Sequence, residues 1–179
     1  MTDMCSWLDP TAEILGASLR VMVAAFQLPQ QAQKLLVKHG LPADPQPTEW
    51  YPLRAWLRVL RDLEKHYGPQ TVYAAGLQVV NHSLWPPTSP TLLAVLHGLD
   101  QAHRTNVRGT RVGYYRVEER GPRELRLECL TPVSAEFDRG IITGVARKFR
   151  PAGAVRVHVV LEPFQAQGPP DLKRFRVWW

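Results

Sequence analysis

RVGYYRVEERGPRELRLECLTPVSAEFDRGIITGVARKF, residues 111–149, contains the change of period that decides the fold. Residues 111–118 and 124–130 alternate apolar with polar, the pattern of half-buried strands, and ERGPR between them is a hairpin turn. In the second strand Leu125, Leu127 and Cys129 point one way, and Arg126 and Glu128 the other. Thr131-Pro132 ends that strand, and Ser134 caps a helix whose first turn carries Glu136 and Asp138. Phe137, Ile141, Val145 and Phe149 recur every four residues as its apolar stripe. Gly140 and Gly144 fall on another line of the same helix. A glycine there costs about 1 kcal/mol relative to alanine, so close approach of a backbone or ligand is expected to offset it.

Outward from this stretch, residues 155–161 and 173–179 read as two closing strands. Upstream the period is helical. Residues 14–39 are helix-prone, with a break at Pro29, and the four prolines of LPADPQPTEWYP make a stiff connector. Residues 53–67 place Leu53, Trp56, Leu57, Leu60, Leu63 and Tyr67 on one buried stripe. Helices over 70–82 and from Thr91, with Ser89 as cap, follow. The expected class is α+β: N-terminal helices packed with a four-stranded antiparallel sheet in the order strand, strand, helix, strand, strand. Residues 1–50 read as a helical extension and connector. Residues 51–179 read as one domain, with helices over 53–104 and sheet–helix–sheet over 110–179.

The chain has 179 residues and a net charge of +6, and its basic residues are 17 Arg and 5 Lys. Arg116, Arg126, Arg156, Arg174 and Arg176 fall on outward strand positions and are the candidate anion-binding residues, for nucleic acid or an acidic partner. Cys5 and Cys129 are too few for a disulfide framework, and no basic leader or apolar span of about 20 residues appears, so a cytoplasmic protein is expected. No G-x-S-x-G, phosphate loop or dinucleotide fingerprint is present, which removes the common hydrolase and nucleotide classes. No histidine pair has metal-ligand spacing; His82, His97 and Cys129 are the remaining candidates.

AHRTNVRGTRVGYYRV (102–117) and CLTPVSAEFDRGIITG (129–144) together resemble an uncharacterised bacterial family. The family's motifs are N-H-R before a Gly–Tyr segment, and C-x-N-P-Y-x-C-x-F-D-x-G. Asn106 and Arg108 match the first, with Val107 in place of histidine. Cys129, Pro132, Phe137, Asp138 and Gly140 match the second. This family is similar to 4-vinyl-reductase-like domains, transport-protein-particle subunits and haem–nitric-oxide sensor domains, and the similarity runs from Tyr51 to Trp179. It implies a non-catalytic sensor or adaptor that binds a small, apolar ligand or a partner protein. Asn106, Arg108, Tyr114, Asp138 and Arg139 would line or shape the pocket, between the helices from Leu53, Thr91 and Phe137. Alternatively, Asp138 and Arg108 close a structural ion pair. A reductase-like enzyme is the further alternative that the family name suggests.

The family's further cysteines, where Ala135 stands and near Gln165 and Lys173, are absent here. So is the Y-x-S-x-R signature of the haem sensors. No motif therefore supports haem or a metal, and the cofactor stays open. Of Trp178 and Trp179, one is expected in the core and the other in a homodimer interface.

Overall fold

A computed structural model describes residues 6–26, 29–82, 91–163, 169 and 171–179. Its first element is a strand, β1 (Glu13–Leu15), followed by helices α1 (Gly16–Ala25) and α2 (Pro29–Lys38). Strand β2 (Trp50–Pro52) leads into α3 (Leu53–Tyr67) and α4 (Pro69–His82). Helices α5 (Leu92–His97) and α6 (Leu99–Asn106) precede the two-residue strand β3 (Val107–Arg108). The hairpin β4 (Tyr114–Gly121) and β5 (Glu124–Leu130), helix α7 (Ala135–Lys148), and strands β6 (His158–Leu161) and β7 (Leu172–Trp178) complete the order.

The four long strands form an antiparallel sheet of order β4-β5-β7-β6. Its inner face carries Leu125, Leu127, Cys129, Phe175 and Val177, all 2% exposed or less, against Ile142, Val145 and Ala146 of α7. Ser134 accepts a hydrogen bond from the Phe137 N–H and so starts α7. The cap of α5 is Thr91, which accepts from the Ala94 N–H at 3.2 Å. Ser89, the expected cap, lies outside the described residues, as does Cys5.

A second, three-stranded sheet of order β2-β1-β3 draws its strands from the start of the first helix-prone stretch, from the connector and from the residues just after the helices over 53–104. Glu13 faces Pro52 on one side and Arg108 on the other. Strands of two or three residues carry no period, which is why the pattern missed them. Residues before position 50 also supply Leu8, Ile14, Leu19, Phe26 and Leu36 to the first core cluster, beside Trp56 and Leu63. The Asp9 carboxylate accepts four hydrogen bonds, from the N–H and hydroxyl of Thr11 and of Thr110, which hold its pKa well below the ordinary range. Tyr67, expected in the core, is 44% exposed at the end of α3. The helix read from Thr91 breaks at Gly98 into α5 and α6. Among the described residues no helix is long and apolar enough to cross a membrane.

Helices α4 and α7 join the two core clusters and meet backbone to backbone. A Cβ on Gly76 would stand 2.4 Å from the Phe137 carbonyl oxygen, and one on Gly140 would stand 2.3 Å from that of Tyr73. Gly144 approaches α4 less tightly, at 2.8 Å from the Leu77 carbonyl oxygen.

Candidate functional site

Tyr115, Cys129 and Lys173 stand opposite one another in a row across β4, β5 and β7. Asp138, wholly buried in the first turn of α7, faces this row. Its Oδ1 accepts from the Tyr115 hydroxyl at 2.7 Å. Its Oδ2 accepts from the Thr131 hydroxyl at 2.6 Å and pairs with Lys173 Nζ at 2.6 Å. Lys173 also reaches the Thr131 and Val133 carbonyl oxygens, at 3.0 and 2.7 Å. The cluster is a satisfied network that fixes the β5–α7 turn against the last strand. Burial first, then the Asp138 charge, pushes both the Tyr115 phenol and the Cys129 thiol up, so neither is a nucleophile at neutral pH.

The network does not include Arg108, contrary to the alternative of an Arg108–Asp138 pair. Arg108 is exposed, pairs with Glu13 at 2.6 Å and lies over the Trp50 ring at 4.3 Å. Asn106 accepts from the Ser18 hydroxyl at 2.7 Å and donates to the Ala102 carbonyl at 2.8 Å. Arg139 pairs with Glu136 and covers Tyr73 at 4.2 Å, while Tyr114 lies under Arg116 at 5.2 Å. The five residues expected to shape one pocket are thus spread over separate contacts. Lys173, Tyr115 and Thr131 were missed. The alternation of residues 173–179 held the signal for Lys173, since it sets position 173 on the inner face with Phe175 and Val177.

The arginines of the outer sheet face carry carboxylates. Arg126 binds Glu162, Arg174 binds Glu128 at 3.0 Å, Arg176 binds Glu124 at 2.8 Å, and Arg116 stands 3.8 Å from Glu128. Arg156 is exposed beside the start of β6. Trp178 lies on this face, stacked on His158 at 4.9 Å and covered by Arg176. Carboxylates are interleaved with these arginines: Glu128 stands between Arg116 and Arg174 in the register, and the directly opposed Arg126 and Arg176 take Glu162 and Glu124 from neighbouring rows.

An open groove of about 610 Å³ lies between α5, the C-terminal end of α7 and the last residue. Leu92, Leu93, Phe149 and Trp179 give it apolar walls, with Lys148 and Arg150 alongside. Two of the three helices expected around a pocket line it; α3 does not. The Lys148 ammonium reaches toward the Val80 carbonyl at 3.4 Å, and Arg150 donates to the Val155 carbonyl at 3.2 Å, so both cations are held near the rim.

His82 and His97 are exposed at helix ends. His103 is turned inward. Its Nε2 lies 2.9 Å from the Val112 carbonyl oxygen, and Tyr115 meets the ring edge-on. A carbonyl only accepts, so Nε2 carries the proton and Nδ1 keeps the lone pair. Burial holds the His103 pKa below its ordinary value of 6.5. The folded state therefore favours the neutral ring, and this contribution to stability is complete above pH 6.5 and lost as the pH falls below it. The urea midpoint is expected to fall between neutral pH and the folded pKa, and this component of the slope to disappear in His103→Gln. Among the described residues no group of His, Cys, Asp or Glu could hold a metal ion.

No family model matches the chain, and no curated protein does. Solved structures do. An oxygen-binding H-NOX domain related to soluble guanylate cyclases, in its oxygen complex, matches with a TM-score of 0.65 at 15% identity over 91% of each chain. A structure concerned with haem redox potential and porphyrin distortion matches at 0.64 and 14%, over 92% of this chain and 97% of the other. A mutant H-NOX domain of T. tengcongensis matches at 0.62 and 15%, over 90% of this chain and 92% of the other. The expectation that nothing supports haem is overturned by these matches, since proteins sharing the fold are haem domains. Whether this chain's residues fit the group is a question of geometry. The backbone contact of α4 with α7 admits no macrocycle between those helices, and His103, its Nε2 N–H on the Val112 carbonyl, keeps a lone pair on Nδ1 alone. As α4 and α7 are packed, a haem does not fit between them. What the matches establish is the architecture: this chain has the fold of the H-NOX domains.

Proposed function

We propose that this chain is a non-catalytic sensor domain that takes a small apolar ligand with an acidic end into the groove at Trp179. The observation that carries the reading is the pairing of apolar walls with two cations, Lys148 and Arg150, in one concavity. The fold shared with ligand-binding H-NOX domains supports the sensor class, and the motifs at 102–117 and 129–144 support the 4-vinyl-reductase-like and transport-protein-particle-like kinship. The free, buried Cys129 fits a reducing compartment, and we place the protein in the cytoplasm. Signalling would pass through a partner protein, because the groove joins α5 to α7 and α7 is packed on the sheet.

Native mass spectrometry of freshly purified protein is expected to show added mass that is lost on denaturation. Titration with dodecanoate is expected to saturate with one molecule per chain. Leu93→Glu, which puts a carboxylate on a half-buried groove wall, is expected to weaken that binding about tenfold or more. Absence of both the added mass and dodecanoate binding removes this reading.

A further inference from the structure

The four-stranded sheet has two edges, and they are built differently. Strand β4 carries Arg116, Glu118, Glu119 and Arg120, and Asp100 of α6 accepts a hydrogen bond from the Tyr115 N–H at 3.0 Å. Charges and a covering helix are the usual protection of an edge. Strand β6, His158-Val159-Val160-Leu161, carries no carboxylate, lysine or arginine. Val155, Val160 and Leu161, 92%, 49% and 39% exposed, are three of the five large apolar side chains that stand out in solvent among the described residues.

The direction of the β6 backbone groups follows from its pairing with β7. The Glu162 N–H donates to the Arg174 carbonyl at 2.8 Å. Hydrogen-bonded and non-bonded pairs alternate in an antiparallel ladder. His158 and Val160 therefore spend their backbone groups on β7, and the N–H and C=O of Val159 and Leu161 point away from the sheet. Among the described residues no hydrogen bond reaches those groups from the open side.

We propose that β6 pairs antiparallel with β6 of a second copy of this chain, about a two-fold axis at Val159, to make one continuous eight-stranded sheet. An axis between two residues would oppose an outward backbone group to one already spent on β7, so the axis must fall on an outward residue. At Val159 every residue of the strand is used. That register also sets Arg156 opposite Glu162 of the second copy, and by symmetry Glu162 opposite Arg156. Glu162 engages Arg126 through Oε2, at 2.9 Å from Nε, and among the described residues no hydrogen bond or ion pair uses Oε1. His158 falls opposite Val160, both exposed on the outer face. The occupant is a second copy because the charge pattern of this edge complements itself.

The full-length chain is expected to sediment as a dimer in the micromolar range. Two variants test the register. Arg156→Glu alters an exposed side chain and is expected to raise the dimer dissociation constant about tenfold with the thermal midpoint of the protomer unchanged. Combining His158→Cys with Val160→Cys places the new thiols about 4.5 Å apart in Cα distance across the interface, within disulfide reach. Mild oxidation is then expected to give a covalent dimer, and neither single variant is expected to do so. A chain that stays monomeric throughout the micromolar range, or a dimer that neither cross-links nor responds to Arg156→Glu, overturns the proposal. The latter result would place the dimer contact elsewhere.

Discussion

Asp138→Ala is expected to lower the folding free energy by about 3–5 kcal/mol, the usual effect of removing one member of a buried ion pair. Asp138 is 0% exposed, and the Lys173 side chain is 11% exposed. Without the carboxylate, the Lys173 ammonium keeps only the neutral oxygens of Thr131 and Val133, and the Tyr115 hydroxyl loses its acceptor. For a chain of this length the thermal midpoint should fall by about 10 °C. Exchanging both partners for apolar residues, Asp138→Leu with Lys173→Met, should cost less than the sum of the single losses, because neither charge is then left buried alone. A loss below about 1 kcal/mol for Asp138→Ala would show that the network is not what holds the turn after β5. Urea denaturation of the three variants measures all of this.

Gly140→Ala tests a sign. Helix propensity alone gives alanine an advantage of about 1 kcal/mol at this position. The added Cβ, however, would lie 2.3 Å from the carbonyl oxygen of Tyr73, a backbone atom that cannot rotate away. Helices α4 and α7 would have to part along their contact, so a net loss of about 2–3 kcal/mol is expected. Gly76→Ala meets the same contact from the other side, at 2.4 Å from Phe137, and should behave alike. Gly144→Ala meets the Leu77 carbonyl oxygen at 2.8 Å and a movable Val80 methyl at 2.9 Å, and its loss should be smaller. Chemical denaturation of the three variants gives the ranking. Stabilisation of Gly140→Ala would mean that the helices are not in backbone contact.

The large sheet and α7 were legible because each has a period. Leu125, Leu127 and Cys129 alternate, and Phe137, Ile141 and Val145 recur at helical spacing. The small sheet was not legible, because Glu13–Leu15 leads into the apolar run from Ile14 and its pairing partners are fixed only by the tertiary fold. The same limit applies to the polar residues. Motif spacing singled out Asp138, but its cation is 35 positions further along the chain, on a strand whose position depends on sheet order. Arg108 was noticed for the same reason and found Glu13 instead, a residue 95 positions away. The groove was harder still, since Leu92, Phe149 and Trp179 belong to different elements and share no pattern.

The position of β1 between β2 and β3 has a consequence for biosynthesis. Residues 13–15 gain their second neighbour only when residues 107–108 arrive, and the Trp7 indole finds Asp171, 164 positions later. Contacts this distant in sequence close slowly, because the entropy of a long loop is lost before any pairing repays it. Leu8, Ile14 and Leu19, in the same core cluster as Val107 and Phe137, are therefore made well before all their partners. Protease resistance of the growing chain is thus expected to appear late, once residues 107–108 and 171 are in place.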